Sequence, residues 1–253
     1  MTKTWLELGV PKNIISGLVS RGIEAPFPVQ EATLPDALAG NDICGKAPTG
    51  SGKTLAFGIA IAAKVTKSRP GRPTGLVLVP TRELAAQVAK EISLLCGGSD
   101  IRVSAVYGGA GYGPQVKAAR ASSIVVATPG RLEDLIKRRD LDLGAVAVAV
   151  IDEADRMADM GFMPAVKRIM RSVTTNRQTL LFSATLDGPV AKLVADFQHN
   201  PVRHEVGPKG PDMSLADHKF WVTAREKRQE VSADVITKMG ATIVFTRTPH
   251  GAD

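Results

Sequence analysis

Short apolar runs alternate along this chain with stretches in which apolar residues recur every three or four positions. Residues 42–46, 75–80, 102–107, 123–128, 145–152 and 178–183 are runs of strand length. Residues 53–65, 82–96, 130–139 and 189–197 would place their apolar side chains on one face of a helix. Strands and helices taking turns in this way predict an α/β domain, a parallel sheet covered by helices on both faces. Ligands of such sheets bind beyond the carboxyl ends of the strands.

The alternation breaks at Gly207 to Asp212, where two glycines and two prolines fall within six residues. The expected organisation is therefore a domain over 1–206, a linker over 207–217 and the beginning of a second domain over 218–253. In that last stretch residues 218–223 read as a strand, 225–239 as a helix and 241–247 as a strand. Three elements of this size cannot close a core of their own.

Composition narrows the class. The chain has 253 residues, 44% hydrophobic and 23% charged, enough for an ordinary globular core. Its apolar runs are far short of a membrane span, and residues 1–10 show no basic-then-apolar leader, so the expectation is a soluble, cytoplasmic protein with no membrane partner. Cys44 and Cys96 are too few for a disulfide framework and have no metal-ligand spacing, so both read as inert core thiols. His199, His204, His218 and His250 match no catalytic or metal pattern and read as surface or packing residues. The net charge of +7 suits a polyanionic partner, but the excess is spread along the chain and does not establish one.

The chemistry is carried by loops that follow the strands. Ala47-Pro48-Thr49-Gly50-Ser51-Gly52-Lys53-Thr54 lies between a strand and a helix, the setting of a phosphate-binding loop. Gly50 and Gly52 would let backbone N–H groups approach phosphate oxygens, and the following helix adds the positive end of its dipole. Lys53 would reach the β- and γ-phosphates of ATP and the Thr54 hydroxyl would ligate Mg²⁺. The apolar run ending at Ile151 leads into Asp152-Glu153-Ala154-Asp155. Asp152 is the expected second holder of Mg²⁺, partly through water, and Glu153 the expected general base for an attacking water.

Taken with these, the remaining motifs give the chain a resemblance to the DEAD-box family of ATP-dependent RNA helicases, over essentially its whole length. The family's glutamine motif matches Gly22-Ile23-Glu24-Ala25-Pro26-Phe27-Pro28-Val29-Gln30, with Trp5 as its upstream aromatic. Ile23 stands where the family usually has an aromatic, and Phe27 where it usually has Thr. The resemblance implies adenine recognition by Gln30 and Pro26, the amide bonding the base edge while an aromatic ring packs on its face. Trp5 reads either as that ring or as a plain core residue.

Pro80-Thr81-Arg82-Glu83-Leu84-Ala85, Gly108-Gly109 and Thr128-Pro129-Gly130-Arg131 are similar to the family's RNA-contacting motifs, which imply grip on phosphate and sugar with little sequence preference. Ser183-Ala184-Thr185 resembles the motif coupling nucleotide state to strand separation, its hydroxyls expected to bond Asp155. Residues 243–248 resemble the opening of the second RecA-like domain.

The resemblance thus implies a complete first RecA-like domain, ATP and Mg²⁺ as ligand and cofactor, and RNA as partner. The second domain, which supplies the arginines that complete the transition state, would be present only as its beginning. The chain by itself is then expected to bind ATP and hydrolyse it little. Two other readings fit parts of the pattern: an ATP-gated RNA clamp, and a P-loop translocase acting on DNA.

Overall fold

A computed structural model describes residues 3–207, 219–242, 244 and 245. The chain divides into two compact units, Met1–Gly207 and Pro208–Asp253.

The first unit is built on a sheet of seven parallel strands: β1 Ile43–Lys46, β2 Gly75–Leu78, β3 Val103–Val106, β4 Ile124–Ala127, β5 Val148–Ile151, β6 Gln178–Ser183 and β7 Val202–Glu205. Their order is β3-β4-β2-β5-β6-β1-β7. The six strands expected from apolar runs form, each inside its expected span. The seventh carries no such run, because it is the edge beside β1 and its residues alternate half-buried Val202 and His204 with exposed Arg203 and Glu205. Charged side chains on an edge strand discourage pairing with other chains.

Helices α1 (Lys12–Val19), α2 (Pro28–Ala39), α3 (Lys53–Lys64), α4 (Arg82–Leu95), α5 (Tyr112–Arg120), α6 (Pro129–Lys137), α7 (Ala154–Asp159), α8 (Met163–Ser172) and α9 (Gly188–Phe197) complete this unit. The pattern of the sequence assigns α3, α4, α6 and α9 but not the other five. Prolines mask part of the helical signal. Pro28, Pro114 and Pro164 fall in the first turns of α2, α5 and α8, where the missing N–H has no helical acceptor to lose.

The two faces of the sheet bury separate cores. One face packs Leu76, Leu78, Val125, Ala149, Ile151 and Leu181 beneath α6, α8 and α9. The other packs Val77, Val126, Val148, Val150, Leu180 and Phe182 against α3 and α4. Phe57 and Phe182 meet there with ring centroids 5.8 Å apart. Burial of both faces is why β2, β4 and β5 are apolar at every position. A third cluster joins Trp5, Leu8 and Val10 to α1, Leu34 and Ile59.

Strand order sorts the loops into two groups. The ends of β3, β4 and β2 carry Gly108-Gly109, Thr128 to Arg131 and Pro80 to Arg82, while the ends of β5, β6 and β1 carry Asp152 to Asp155, Ser183 to Thr185 and Ala47 to Thr54. The groups meet where β5 lies beside β2, and Asp152 N–H donates to Leu78 O at 3.0 Å.

In the second unit, α10 (Arg228–Met239) follows a 3-10 turn at Arg225–Lys227. The helix agrees with its expected span. The expected flanking strands are not found among the described residues: 219–223, 241, 242, 244 and 245 form no strand. His218 and residues 243 and 246–253 lie outside the described residues, as does the expected linker beyond Gly207. Phe220, Trp221 and Phe245 are exposed and α10 buries nothing, so this unit has no core of its own among the described residues. Among the described residues no helix is long and apolar enough to cross a membrane.

Candidate nucleotide and nucleic-acid site

The loop after β1 is shaped by two glycines. Gly50 has φ +82° and Gly52 has φ +92°, backbone conformations that L side chains rarely adopt. Gly52 also stands at the start of α3, and a Cβ there would lie 2.6 Å from Gln30 Nε2 and 2.8 Å from Phe27 Cδ2. Ala47 N–H donates to Ser183 O at 3.1 Å, which fixes the root of the loop to β6. Ser51 Oγ donates to Pro48 O at 2.8 Å, leaving Pro48 and Thr49 exposed.

Lys53 is buried, and its Nζ donates to Ala47 O at 2.7 Å and Pro48 O at 3.1 Å. Two neutral carbonyls solvate this ammonium, with no carboxylate among its hydrogen-bond acceptors. That is a cation an incoming anion can bond more strongly than its present partners do. Lys53, Thr54, Thr81, Asp152 and Glu153 line a shared cleft of about 600 Å³.

Asp152 is 3% exposed at the tip of β5. Burial pushes its carboxyl up to about 7, a rise opposed by the charge of Lys53 and reinforced by Glu153. Its Oδ1 accepts Glu153 N–H at 3.0 Å. Glu153 holds φ +51°, a left-handed conformation costly for a side chain with a Cβ, which the surrounding structure must over-determine. Arg156, one turn on in α7, donates to Glu153 Oε2 at 3.1 Å. Spacing alone could have found this pair, since residues three apart on a helix face one another.

These residues fit ATP with Mg²⁺. Among the described residues no group of three or more His, Cys, Asp or Glu side chains is placed to hold a metal. Mg²⁺ needs no such cage, since it is commonly held by one or two carboxylates together with substrate phosphates and water. Asp152 and Thr54 line the same cleft as Lys53, and a carboxylate beside a hydroxyl suits that limited requirement.

The glutamine motif is packed against the start of the phosphate loop. Trp5 is a core residue: it is 2% exposed, and its Nε1 donates to Ile23 O at 3.1 Å, so its ring offers no face to a base. Gln30 is 0% exposed; its Oε1 accepts Phe27 N–H at 2.8 Å and its Nε2 donates to Gly52 O at 3.0 Å. Pro26 is buried. The aromatic ring that does stand open beside the phosphate loop is Phe27, 56% exposed, which the sequence marked only as a departure from the family's Thr.

Asp155 and the β6 end are joined, through the Ser183 hydroxyl as expected but not through that of Thr185. Ser183 Oγ accepts the backbone N–H of Asp155 at 3.1 Å. The Asp155 carboxylate accepts the backbone N–H groups of Ala184 and Thr185, both at 3.2 Å. The link to Thr185 therefore runs through its backbone instead of its hydroxyl, because the chain turns outward after Ser183 and leaves Thr185 exposed.

On the other half of the sheet, Thr81 Oγ1 accepts Leu84 N–H at 3.2 Å and so caps α4. Arg82, Gly108, Gly109 and Gly130 are exposed, whereas Pro80 and Pro129 are buried. Arg131 is half-buried and donates to Ala110 O at 3.2 Å. Gln115 bonds Tyr107 in both directions, accepting its N–H and donating to its O, each at 3.0 Å, which fixes the end of β3 ahead of the two glycines. Sequence reasoning passed over Gln115, whose pairing with a backbone eight residues away has no local signature.

The model of the DEAD/DEAH box helicase family matches residues 27–193. The chain is 43% identical to the chloroplastic DEAD-box ATP-dependent RNA helicase 3A of Zea mays, over 97% of this chain and 34% of that protein. It is 38% identical to an ATP-dependent RNA helicase of Listeria monocytogenes, over 100% of this chain and 49% of that one. The chain thus spans half or less of the length of these relatives. Among solved structures, a DEAD box protein from Methanococcus jannaschii superposes with a TM-score of 0.77 at 31% identity, covering 93% of this chain and 64% of that one. A hypothetical ATP-dependent RNA helicase from Sulfolobus tokodaii gives 0.71 at 40% identity, covering 77% and 57%. With its RecA-like parallel sheet and with the phosphate loop and acidic motif at the ends of β1 and β5, on either side of β6, the chain belongs to the DEAD/DEAH box helicase family.

Proposed function

We propose that this chain is the nucleotide-binding part of an ATP-dependent RNA helicase that separates short duplexes or remodels RNA–protein complexes. The observation that carries this reading is Lys53, a buried ammonium resting on two carbonyl oxygens in the cleft that Asp152 also lines. Lys53 and the N–H groups of the 47–54 loop hold the β- and γ-phosphates. Thr54 and Asp152 hold Mg²⁺, which when bound neutralises charge developing on the phosphate oxygens. Glu153 orients the attacking water and accepts its proton. Asp155 and Ser183 pass the state of this site to the loops of β6.

Under the same proposal Pro80, Thr81, Arg82, Gly108, Gly109, Thr128, Pro129, Gly130 and Arg131 form the surface that meets the RNA backbone. Hydroxyls, close-approach glycines and arginines grip phosphate and sugar without reading base edges, so little sequence preference follows. The free thiols of Cys44 and Cys96 suit the cytoplasmic location that belongs to this reading. The family resemblance puts the arginines that complete the transition state in the second RecA-like domain, and such a cation contributes about 10³ to 10⁵ in rate. The 253-residue chain is therefore expected to bind ATP and to hydrolyse it little.

The test is RNA-stimulated ATP hydrolysis by this chain and by a version extended through a complete second domain, each beside Glu153→Gln. Activity in the extended protein alone, abolished by Glu153→Gln, is the expected result. An extended protein that binds ATP but never turns it over would overturn the helicase reading in favour of an ATP-gated clamp.

A further inference from the structure

Tyr112 opens α5, directly after the loop that carries Gly108 and Gly109. Two guanidinium groups approach its ring: Arg138 Cζ at 4.6 Å from the centroid and Arg131 Cζ at 5.6 Å. Both distances fall within the reach of cation–π attraction, about 6 Å. Two cations at one ring repel each other, and the arrangement includes a counter-charge. The Tyr112 hydroxyl donates to Asp140 Oδ2 at 2.6 Å, which sets the ring's position as well as balancing the charge.

Arg131 has reason to need such a support. It lies in the first turn of α6, where the positive end of the helix dipole pushes a cation away. The negative face of the Tyr112 ring and the carbonyl of Ala110, 3.2 Å from Arg131 Nη1, offset that push. A guanidinium carries five N–H donors in a rigid fork, and the Ala110 bond uses one. The same bond ties the 108–111 loop to α6, while Gln115 ties the start of α5 to the end of β3.

We propose that Tyr112 is a positioning residue for RNA binding, its ring holding the Arg131 guanidinium against the 108–111 loop so that the remaining N–H groups meet an RNA phosphate. The proposal rests on the RNA-binding reading above and adds to it a side chain that touches no RNA. The ring acts through Arg131, so its loss matters only while Arg131 is present.

A binding cycle tests this on the 253-residue chain. Affinity for a fluorescently labelled oligouridylate is measured at low salt for wild type, Tyr112→Ala, Arg131→Ala and the double variant, with unfolding midpoints recorded for each. Tyr112→Ala is expected to weaken binding about threefold to tenfold. Tyr112→Phe, which keeps the ring, recovers most of that loss, and Tyr112→Ala costs nothing further once Arg131 is alanine. Unchanged affinity in Tyr112→Ala, or an equal loss with and without Arg131, would overturn the proposal. If the alanine variant does not fold, Tyr112→Leu keeps the apolar bulk without the ring and runs through the same cycle with the same two outcomes. A wild-type chain that fails to bind oligouridylate would instead overturn the RNA reading itself, and this shows before any variant is compared.

Discussion

Gln30 donates its side-chain amide to Gly52 O at 3.0 Å, so the first turn of α2 is hydrogen-bonded to the residue from which α3 and the phosphate loop depart. The same amide accepts Phe27 N–H, and the side chain has no exposure to solvent. Leaving buried backbone groups unpaired costs about 1–3 kcal/mol each. Both bonds are only part-buried, so Gln30→Ala is expected to lower stability by about 1–3 kcal/mol and to weaken ATP binding through a loosened loop. Thermal unfolding and nucleotide titration check both, and an unchanged nucleotide affinity would mean that the loop holds its shape without this bond.

Asp152 gives stability a pH dependence whose sign follows from its burial. The carboxyl has an ordinary value of 3.8 and is pushed up to about 7 in the folded protein. Between those values the folded state holds a proton that the unfolded chain has released, so the associated stability is fully present below about 4 and is lost as pH rises through about 7. Asp152→Asn, neutral at every pH, lacks this contribution to the profile. Unfolding midpoints measured from pH 5 to 8 should fall for the wild type relative to the variant; parallel profiles would show that the carboxyl is not desolvated in solution.

Asp155 joins the acidic motif to the β6 end by three hydrogen bonds, one accepted by Ser183 Oγ and two accepted by its own carboxylate. Bonds to a charged acceptor contribute about 1.5–3 kcal/mol each, less where the groups are partly exposed, as here. Asp155→Ala is expected to release the 184–185 backbone while leaving ATP affinity near that of the wild type. Amide hydrogen exchange at Ala184 and Thr185 reads this directly. Faster exchange at those two amides with nucleotide affinity retained is the expected pair of results, and unaltered protection would show that the turn after β6 is held by other contacts.

Much of the fold could be read along the chain because its signals are local. An apolar run ending in Asp152-Glu153 announces a buried strand with a polar tip, and glycines at 50 and 52 announce backbone that side chains disfavour. Helix α4 is written in the spacing of Ala85, Val88, Ala89, Ile92 and Leu95. By contrast α5 hides behind Gly113 and Pro114, which the spacing rules treat as breakers, and β7 behind an edge that needs no apolar run. Elements whose stability comes from position in the fold leave little mark on their own residues.

The sequence by itself determined which residues could do chemistry and that they would stand at strand ends, because motif and periodicity are both properties of neighbours in the chain. Only the tertiary structure decided which ends lie side by side, since the order β3-β4-β2-β5-β6-β1-β7 is set by packing between segments distant in sequence. It also decided what each polar group bonds: Gln30 closes on Gly52, Trp5 turns into the core, and Arg131 rests at Tyr112. A side chain's partner depends on the direction in which its backbone holds it, and that direction exists only once the sheet and its helices have come together.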